Sequence, residues 1–281
     1  MDTAIVTGAS SGIGLAVSRV LCELGYEVFG FGRDFTYAEL EAEDSHFHPV
    51  VCDVLDTQKL TENIKQISAS HRVRVLINNA GTAYYGLHEE LNPQKIQKMV
   101  RTNLEVPMIL AQQLLRPLKK NAGYIINIAS VTASGTNPHG CAYGATKAGL
   151  SSFSHSLFEE ARKYGVKVAA IYPDMTKTNL YRNADFTEGD EAESYLLPEE
   201  VAQAVRYILS QREGLVVSDI TLRPQLHRIK RKAARSSDLR APAARHDPEA
   251  RNDLEVRHDP EVRHDPEARR DPAARYDGAA D

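Results

Sequence analysis

Tyr143 and Lys147 stand four residues apart in Tyr143-Gly-Ala-Thr-Lys147, a spacing that brings a phenol and an ammonium to one helix face. Two such groups can meet over one site and work on one proton. Ser130 lies thirteen residues before the tyrosine, at the C-terminal end of a predicted strand. Open α/β sheets bind ligands at that edge, so Ser130 and Tyr143 can share a substrate oxygen. Spacing alone leaves ordinary readings open: Ser130 as a strand end, and Tyr143 with Lys147 as an amphipathic pair.

A second group of residues points to a dinucleotide. Thr7-Gly8-Ala9-Ser10-Ser11-Gly12-Ile13-Gly14 follows the first predicted strand and opens the first helix. In that setting Gly8 permits a tight turn, Gly12 lets the backbone approach a pyrophosphate, and Gly14 lets helix and strand pack closely. The helix N-terminus offers its free N–H groups to phosphate. At the end of the second strand, where an NAD-selective site places an acid, the chain has Gly32-Arg33. The Arg33 guanidinium can fork onto a 2′-phosphate, which favours NADP(H) over NAD(H), and the adjacent Asp34 works against that preference. Asp53, after the third strand, suits either the adenine amino group or the cap of the next helix.

The elements that must position these groups follow from the hydrophobic pattern. Short β-branched runs at 4–6, 27–31, 49–52, 73–77, 123–128, 166–171 and 215–222 alternate with helical stretches at 13–24, 57–68, 93–100, 106–119, 142–164 and 198–210. Seven strands separated by helices predict an α/β fold: one Rossmann-type, doubly wound domain over residues 1–235, its parallel sheet covered on both faces. Residues 236–281 differ in kind. From Arg245 they repeat every six positions in units such as Arg-His-Asp-Pro-Glu-Ala, and they hold five of the 13 prolines. Proline at that frequency breaks a helix and the few apolar residues cannot offset ordering entropy, so this low-complexity tail is predicted to be disordered.

Charge and cysteine content exclude several function classes. The chain has 34 basic and 38 acidic residues; the tail carries 8 Arg and 12 acids, leaving 26 of each sign elsewhere. A neutral body gives no electrostatic reason to expect nucleic acid or an anionic membrane. The cluster Arg228, Lys230, Arg231, Lys232 and Arg235 reads as a solvated helix end in preference to a nucleic-acid patch. No apolar run approaches the ~20 residues of a membrane span and no basic leader opens the chain, so a cytoplasmic protein is expected. Cys22, Cys52 and Cys141 are scattered, suggesting neither disulfides nor zinc. His46 and His48 lack a third ligand, so no metal is expected.

Together the motifs resemble the short-chain dehydrogenase/reductase family over roughly residues 3 to 222. Besides the glycine-rich turn and the Tyr143/Lys147 pair, Asn78-Asn79-Ala80-Gly81 follows the fourth strand, Asn103 occupies the family's helix-asparagine position, and Ile-Ala-Ser130 matches its serine motif. The resemblance implies a catalytic tetrad of Asn103, Ser130, Tyr143 and Lys147. It also implies a cofactor site of Gly8, Ser10, Ser11, Gly12, Ile13, Gly14, Arg33, Asp53, Asn79, Ala80, Gly81, Pro173, Thr176 and Thr178, with Tyr143 and Lys147. In the implied mechanism Tyr143 exchanges a proton with an alcohol or carbonyl oxygen as hydride moves to or from nicotinamide. Lys147 and the positive ring lower the phenol pKa from about 10 towards ~7, worth roughly 4 kcal/mol. Ser130 holds the substrate oxygen, Lys147 binds ribose, and Asn103 holds a water. One departure is Asp174, where the family has glycine after Pro173; it is expected to alter the loop while leaving Thr178 able to bond the carboxamide.

Residues 174–197 read as a lid, with Leu180, Tyr181, Phe186, Tyr195, Leu196 and Leu197 facing inward and acids such as Asp185, Glu188, Asp190 and Glu191 on its wet side. Tyr84, Tyr85, Val131, Thr132, His139 and Cys141 complete the expected pocket wall. These apolar groups suit a bulky secondary alcohol or ketone, a hydroxysteroid or bile acid foremost, with sugar, polyol or 3-oxoacyl substrates as alternatives. A silent NADP-binding regulator is the rival reading, which the filled tetrad opposes. The family resemblance further implies a homodimer or homotetramer, and the repeat tail can be a partner-docking segment.

Overall fold

The computed structural model of the chain describes residues 1–36, 38 and 46–232. The repeat tail, its boundary and Arg235 lie outside the described residues. Seven strands form one all-parallel sheet: β1 (Asp2–Thr7), β2 (Glu27–Gly32), β3 (Phe47–Val51), β4 (Arg72–Asn78), β5 (Tyr124–Ile128), β6 (Lys167–Pro173) and, last in the sheet, β8 (Asp219–Leu222). Their spatial order is β3-β2-β1-β4-β5-β6-β8, so the order reverses between β1 and β4, where a doubly wound sheet opens a crevice.

Alternation along β1 shows how the two layers are built. Ala4 and Val6 face helices α1 (Gly12–Glu23) and α6 (Pro198–Leu209), while Ile5 faces α2 (Thr57–Ser70), α4 (Val106–Asn121) and α5 (Cys141–Ala161). Both faces are covered, as the long apolar strand sequences predict. The seven-stranded doubly wound fold expected from the sequence is the one observed.

Two details differ from that expectation. Helix α3 (Pro93–Val100) does not stop before α4; residues Arg101–Glu105 join them through a π-turn with helical backbone on both sides. A π-turn adds one residue to the helix and interrupts its 3.6-residue period, which explains why the pattern reads as two helices with a gap. The basic cluster is not a helix end. Ile229–Arg231 form a short strand, β9, antiparallel to β7 (Phe186–Glu188) within the predicted lid. Among the described residues no helix is long and apolar enough to cross a membrane.

Candidate active site

The glycine-rich turn enters α1 with Gly8 at φ +68 and Gly12 at φ +54, conformations that glycine adopts without a Cβ penalty. Gly14 does another job. A Cβ there would lie 2.1 Å from the Gly8 carbonyl oxygen, so only hydrogen lets α1 begin this close to the turn. Asn79 ties the turn to β4, its amide donating to the carbonyls of Thr7 at 2.9 Å and Gly8 at 3.2 Å. The Ser11 side chain at the N-cap does not cap α1 and the first turn carries no acid, which suits these N–H groups to an anion.

These groups open onto one cleft across the carboxyl edge of the sheet. Gly8, Ser10, Ser11, Gly12 and Ile13 line one part of it, and Arg33 and Asp53 another. Asn79, Ala80 and Gly81 form its floor. Pro173, Thr176 and Thr178 reach it from the loop after β6, and Ser130, Tyr143 and Lys147 stand at the same end. Gly14 and Asn103 do not line the cleft. Arg33 is exposed at its mouth, whereas the Asp34 carboxylate is taken up by the backbone and hydroxyl of Thr36 at 2.8 and 2.6 Å, bonds that hold it below the usual carboxylate range. Asp53 is not the helix cap. Asp56 caps α2, while Asp53 accepts from the Leu55 N–H at 3.0 Å and stays on the cleft wall.

Helix α5 carries Tyr143 and Lys147 one turn apart, both nearly fully buried. The Lys147 ammonium donates to the Ile128 carbonyl at 2.7 Å, anchoring it to the end of β5, and its Nζ lies 5.8 Å from the Tyr143 ring centre. A Cβ on Gly81 would stand 3.9 Å from that Nζ and 3.7 Å from Asn103 Oδ1, ordinary contact distances, so the floor here is bounded by the lysine and the asparagine. Burial pushes the Lys147 amine down to about 8. Burial also pushes the Tyr143 phenol up to about 12, partly opposed by the Ser130 hydroxyl bonded to it. The protein by itself therefore keeps the phenol protonated.

Asn103 sits in the π-turn and is almost entirely buried. Its Oδ1 accepts from the Thr82 N–H at 2.9 Å; its Nδ2 donates to the Thr82 carbonyl at 2.9 Å and to Thr146 Oγ1 at 3.0 Å. Both amide protons are thus spent joining the loop after β4 to α5. The second Oδ1 lone pair is the remaining hydrogen-bonding capacity of this side chain.

Sequence reasoning overlooked several groups. Val54, Leu55, Lys98 and Thr102 line the cleft, and Arg101 holds the Leu55 carbonyl at 2.8 Å from 46 residues away. None of them belongs to a motif. The lid is strapped by the basic cluster: Arg228 pairs with Glu191, Lys230 meets both oxygens of Asp190 at 2.8 and 3.0 Å, and Lys232 donates to the carbonyls of Tyr181 and Ala184 at 2.6 and 3.1 Å. Asp190 and Glu191 thus face basic partners. Beneath, Tyr85 packs against Phe186, Tyr143 and Tyr181 at centre distances of 4.9, 6.0 and 6.3 Å. Leu180 joins this apolar patch, whereas Leu197 is exposed at the start of α6.

His139 is exposed in a left-handed backbone conformation, and Cys141 meets His88 at 3.3 Å. Asp174 replaces the expected glycine without positive φ; its backbone N–H joins the loop to β8 through the Leu222 carbonyl at 2.9 Å, and its carboxylate meets Arg223, just past that strand, at 3.4 Å. His48 pairs with Glu27 at 3.0 Å and stacks on Phe29, and no group of three potential ligands that could hold a metal occurs among the described residues.

Residues 2–189 match the family model for short chain dehydrogenases. The chain belongs to the short-chain dehydrogenase family. An uncharacterized oxidoreductase of Staphylococcus epidermidis is 31% identical over 225 residues, covering 79% of this chain and 96% of that protein. An uncharacterized short-chain type dehydrogenase/reductase of Sinorhizobium fredii is also 31% identical, over 231 residues, with coverage of 79% and 91%. Among solved structures, a metagenomic short-chain oxidoreductase in complex with NADP superposes with a TM-score of 0.69 at 28% identity, covering 80% of this chain and 98% of the other. Actinorhodin polyketide ketoreductase with NADPH gives 0.71 at 27% identity, with coverage of 80% and 97%. The chain is thus similar to oxidoreductases along nearly their whole length.

Proposed function

We propose that the chain interconverts a secondary alcohol and a ketone with a nicotinamide dinucleotide, NADP(H) in preference to NAD(H), and that its substrate is bulky and apolar, of the hydroxysteroid kind. The observation that carries this reading is the buried trio of Ser130, Tyr143 and Lys147 at one end of the glycine-floored cleft.

The residues fit the cofactor. Gly8 and Gly12 give a cradle that side chains would crowd, α1 presents uncapped N–H groups to a pyrophosphate, and the Thr82 hydroxyl is buried at the cleft without a partner. Arg33 at the mouth, with Asp34 tied to Thr36, supports the choice of a 2′-phosphate, as do the NADP-bound relatives. When bound, the nicotinamide supplies or accepts the hydride and, oxidised, places a positive charge beside the phenol. The remaining work falls to side chains. Tyr143, held protonated by burial, donates its proton to the carbonyl oxygen in reduction; in oxidation it would act as the phenolate, a form that Lys147 and an oxidised nicotinamide would favour, and take the alcohol proton. Ser130 hydrogen-bonds the same oxygen as negative charge grows on it. Lys147 supplies the fixed positive charge on that side and keeps its place through Ile128. Tyr85, Tyr181, Phe186 and Leu180 support an apolar ring-bearing substrate.

The test is a screen of steroid, sugar, polyol and 3-oxoacyl substrates with NADPH and NADH, alongside Tyr143→Phe. Turnover of a steroid ketone with NADPH is expected. The variant should lose about 10²- to 10⁴-fold in kcat while binding cofactor within about twofold of wild type. Tight cofactor binding without turnover of any compound would turn the assignment towards a regulator, and full activity in Tyr143→Phe would remove the proposed acid. A sugar or acyl substrate would correct the substrate class alone. Self-association into a dimer or tetramer belongs to the same proposal and is read by light scattering.

A further inference from the structure

Ser130 leaves β5 in an extended conformation and caps the short turn Val131–Ala133. Its Oγ accepts two hydrogen bonds from one residue: the Thr132 backbone N–H at 3.2 Å and the Thr132 hydroxyl at 3.0 Å. A serine hydroxyl has two acceptor lone pairs and one proton. With both lone pairs engaged by Thr132, the one remaining capacity of Ser130 is to donate.

That restriction matters because of what stands opposite. Ser130 and Tyr143 line the same end of the cleft, and two hydroxyls facing one site can be arranged either way round. If the phenol donated to the serine, its proton would be spent within the protein. If the serine cannot accept, the phenol keeps its proton for a ketone, and the serine's single proton is free for the same substrate oxygen. Thr132 is half-buried and does not line the cofactor cleft, so it can influence the reaction without touching the dinucleotide.

We infer that Thr132 is a positioning residue that makes Ser130 an obligate hydrogen-bond donor and so keeps the Tyr143 proton available to the substrate. The inference rests on the alcohol–ketone reading above. An interaction of this kind strengthens as charge develops on the substrate oxygen, so its loss is read in kcat more than in KM.

Thr132→Val keeps the shape and the backbone donor but removes the hydroxyl; Thr132→Ser restores it. Full-length enzyme is assayed with NADPH and the panel ketone that wild type reduces fastest. Thr132→Val should lower kcat about tenfold, less than the 10²- to 10³-fold cost of deleting a direct oxyanion donor. KM and cofactor affinity should stay within about twofold on the same reasoning, and Thr132→Ser should recover most of the rate. Adding Ser130→Ala closes a double-mutant cycle in kcat and in Tm, where the effects of Thr132→Val should largely vanish.

Wild-type kcat in Thr132→Val, or an undiminished loss in the Ser130→Ala background, would overturn the inference while leaving the dehydrogenase reading intact. A wild type inert on every ketone would sink the functional reading, and with it the catalytic consequence assigned to Thr132. The thermal cycle still decides the bond itself, since additive Tm changes would refute it.

Discussion

Replacing Lys147 by methionine should change stability with a pH signature that can be worked from its surroundings. The amine is nearly fully buried and titrates at about 8 in the fold, against an ordinary 10.5. At 1.36 kcal/mol per pH unit the difference amounts to about 3 kcal/mol. Below pH 8 the amine is protonated in both folded and unfolded chains, and the fold bears the whole cost of burying the charge. Between 8 and 10.5 the unfolded chain holds more protons than the fold, so stability rises with pH; above 10.5 the cost is gone. Methionine fills similar volume without a charge but leaves the Ile128 carbonyl without its 2.7 Å donor, a loss of about 1–3 kcal/mol. At pH 7 these effects nearly cancel, leaving Lys147→Met between neutral and about 2 kcal/mol more stable. By pH 10 the wild type should have gained about 2–3 kcal/mol relative to the variant. Urea unfolding of both proteins without cofactor, at half-unit steps from pH 7 to 10, measures this directly. Groups common to both cancel in the difference. Parallel stability curves would refute the argument and show that the amine is solvated in the fold.

Further substitutions probe the cleft and the lid. Gly14→Ala drives a methyl into the Gly8 carbonyl at 2.1 Å; overpacking of about 1–3 kcal/mol and loss of cofactor fluorescence quenching are expected, and an unchanged Tm would contradict the packing. Arg33→Ala should weaken NADPH by about 1.5–3 kcal/mol, the scale of a hydrogen bond to a charged group, and leave NADH nearly unchanged; equal losses for both would argue against a 2′-phosphate role. Lys232→Ala removes the donor to the Tyr181 and Ala184 carbonyls, so faster proteolysis within 181–191 and a higher KM are expected, with protection equal to wild type counting against the strap.

What the sequence disclosed, and what it did not, separates along a physical line. Gly8 and Gly12 were legible because a positive φ demands glycine, and Gly14 because a methyl would strike the preceding turn; such needs are written in residue type at fixed local spacing. Tyr143 and Lys147 were legible for a similar reason, since helix geometry turns a four-residue spacing into proximity. Asn103 was recognised by type, but its setting was not, because the π-turn replaces the regular period with an irregular one. Lys98, Thr102, Val54 and Leu55 reach the cleft through tertiary packing, and no local pattern distinguishes them from ordinary helix and loop residues. The basic run at 228–232 was the clearest miss. A charge run declares its own sign but not its partner, and the acids that complete it lie 37 and 40 residues earlier. Local backbone demands thus reveal where a cofactor can rest, whereas the lid and the wall over Tyr143 are built from contacts that only the fold creates. Substitution in the Tyr85, Tyr181 and Phe186 wall is therefore expected to change the preference among ketones and leave the ratio of NADPH to NADH affinity unchanged, which the same substrate and cofactor panel measures.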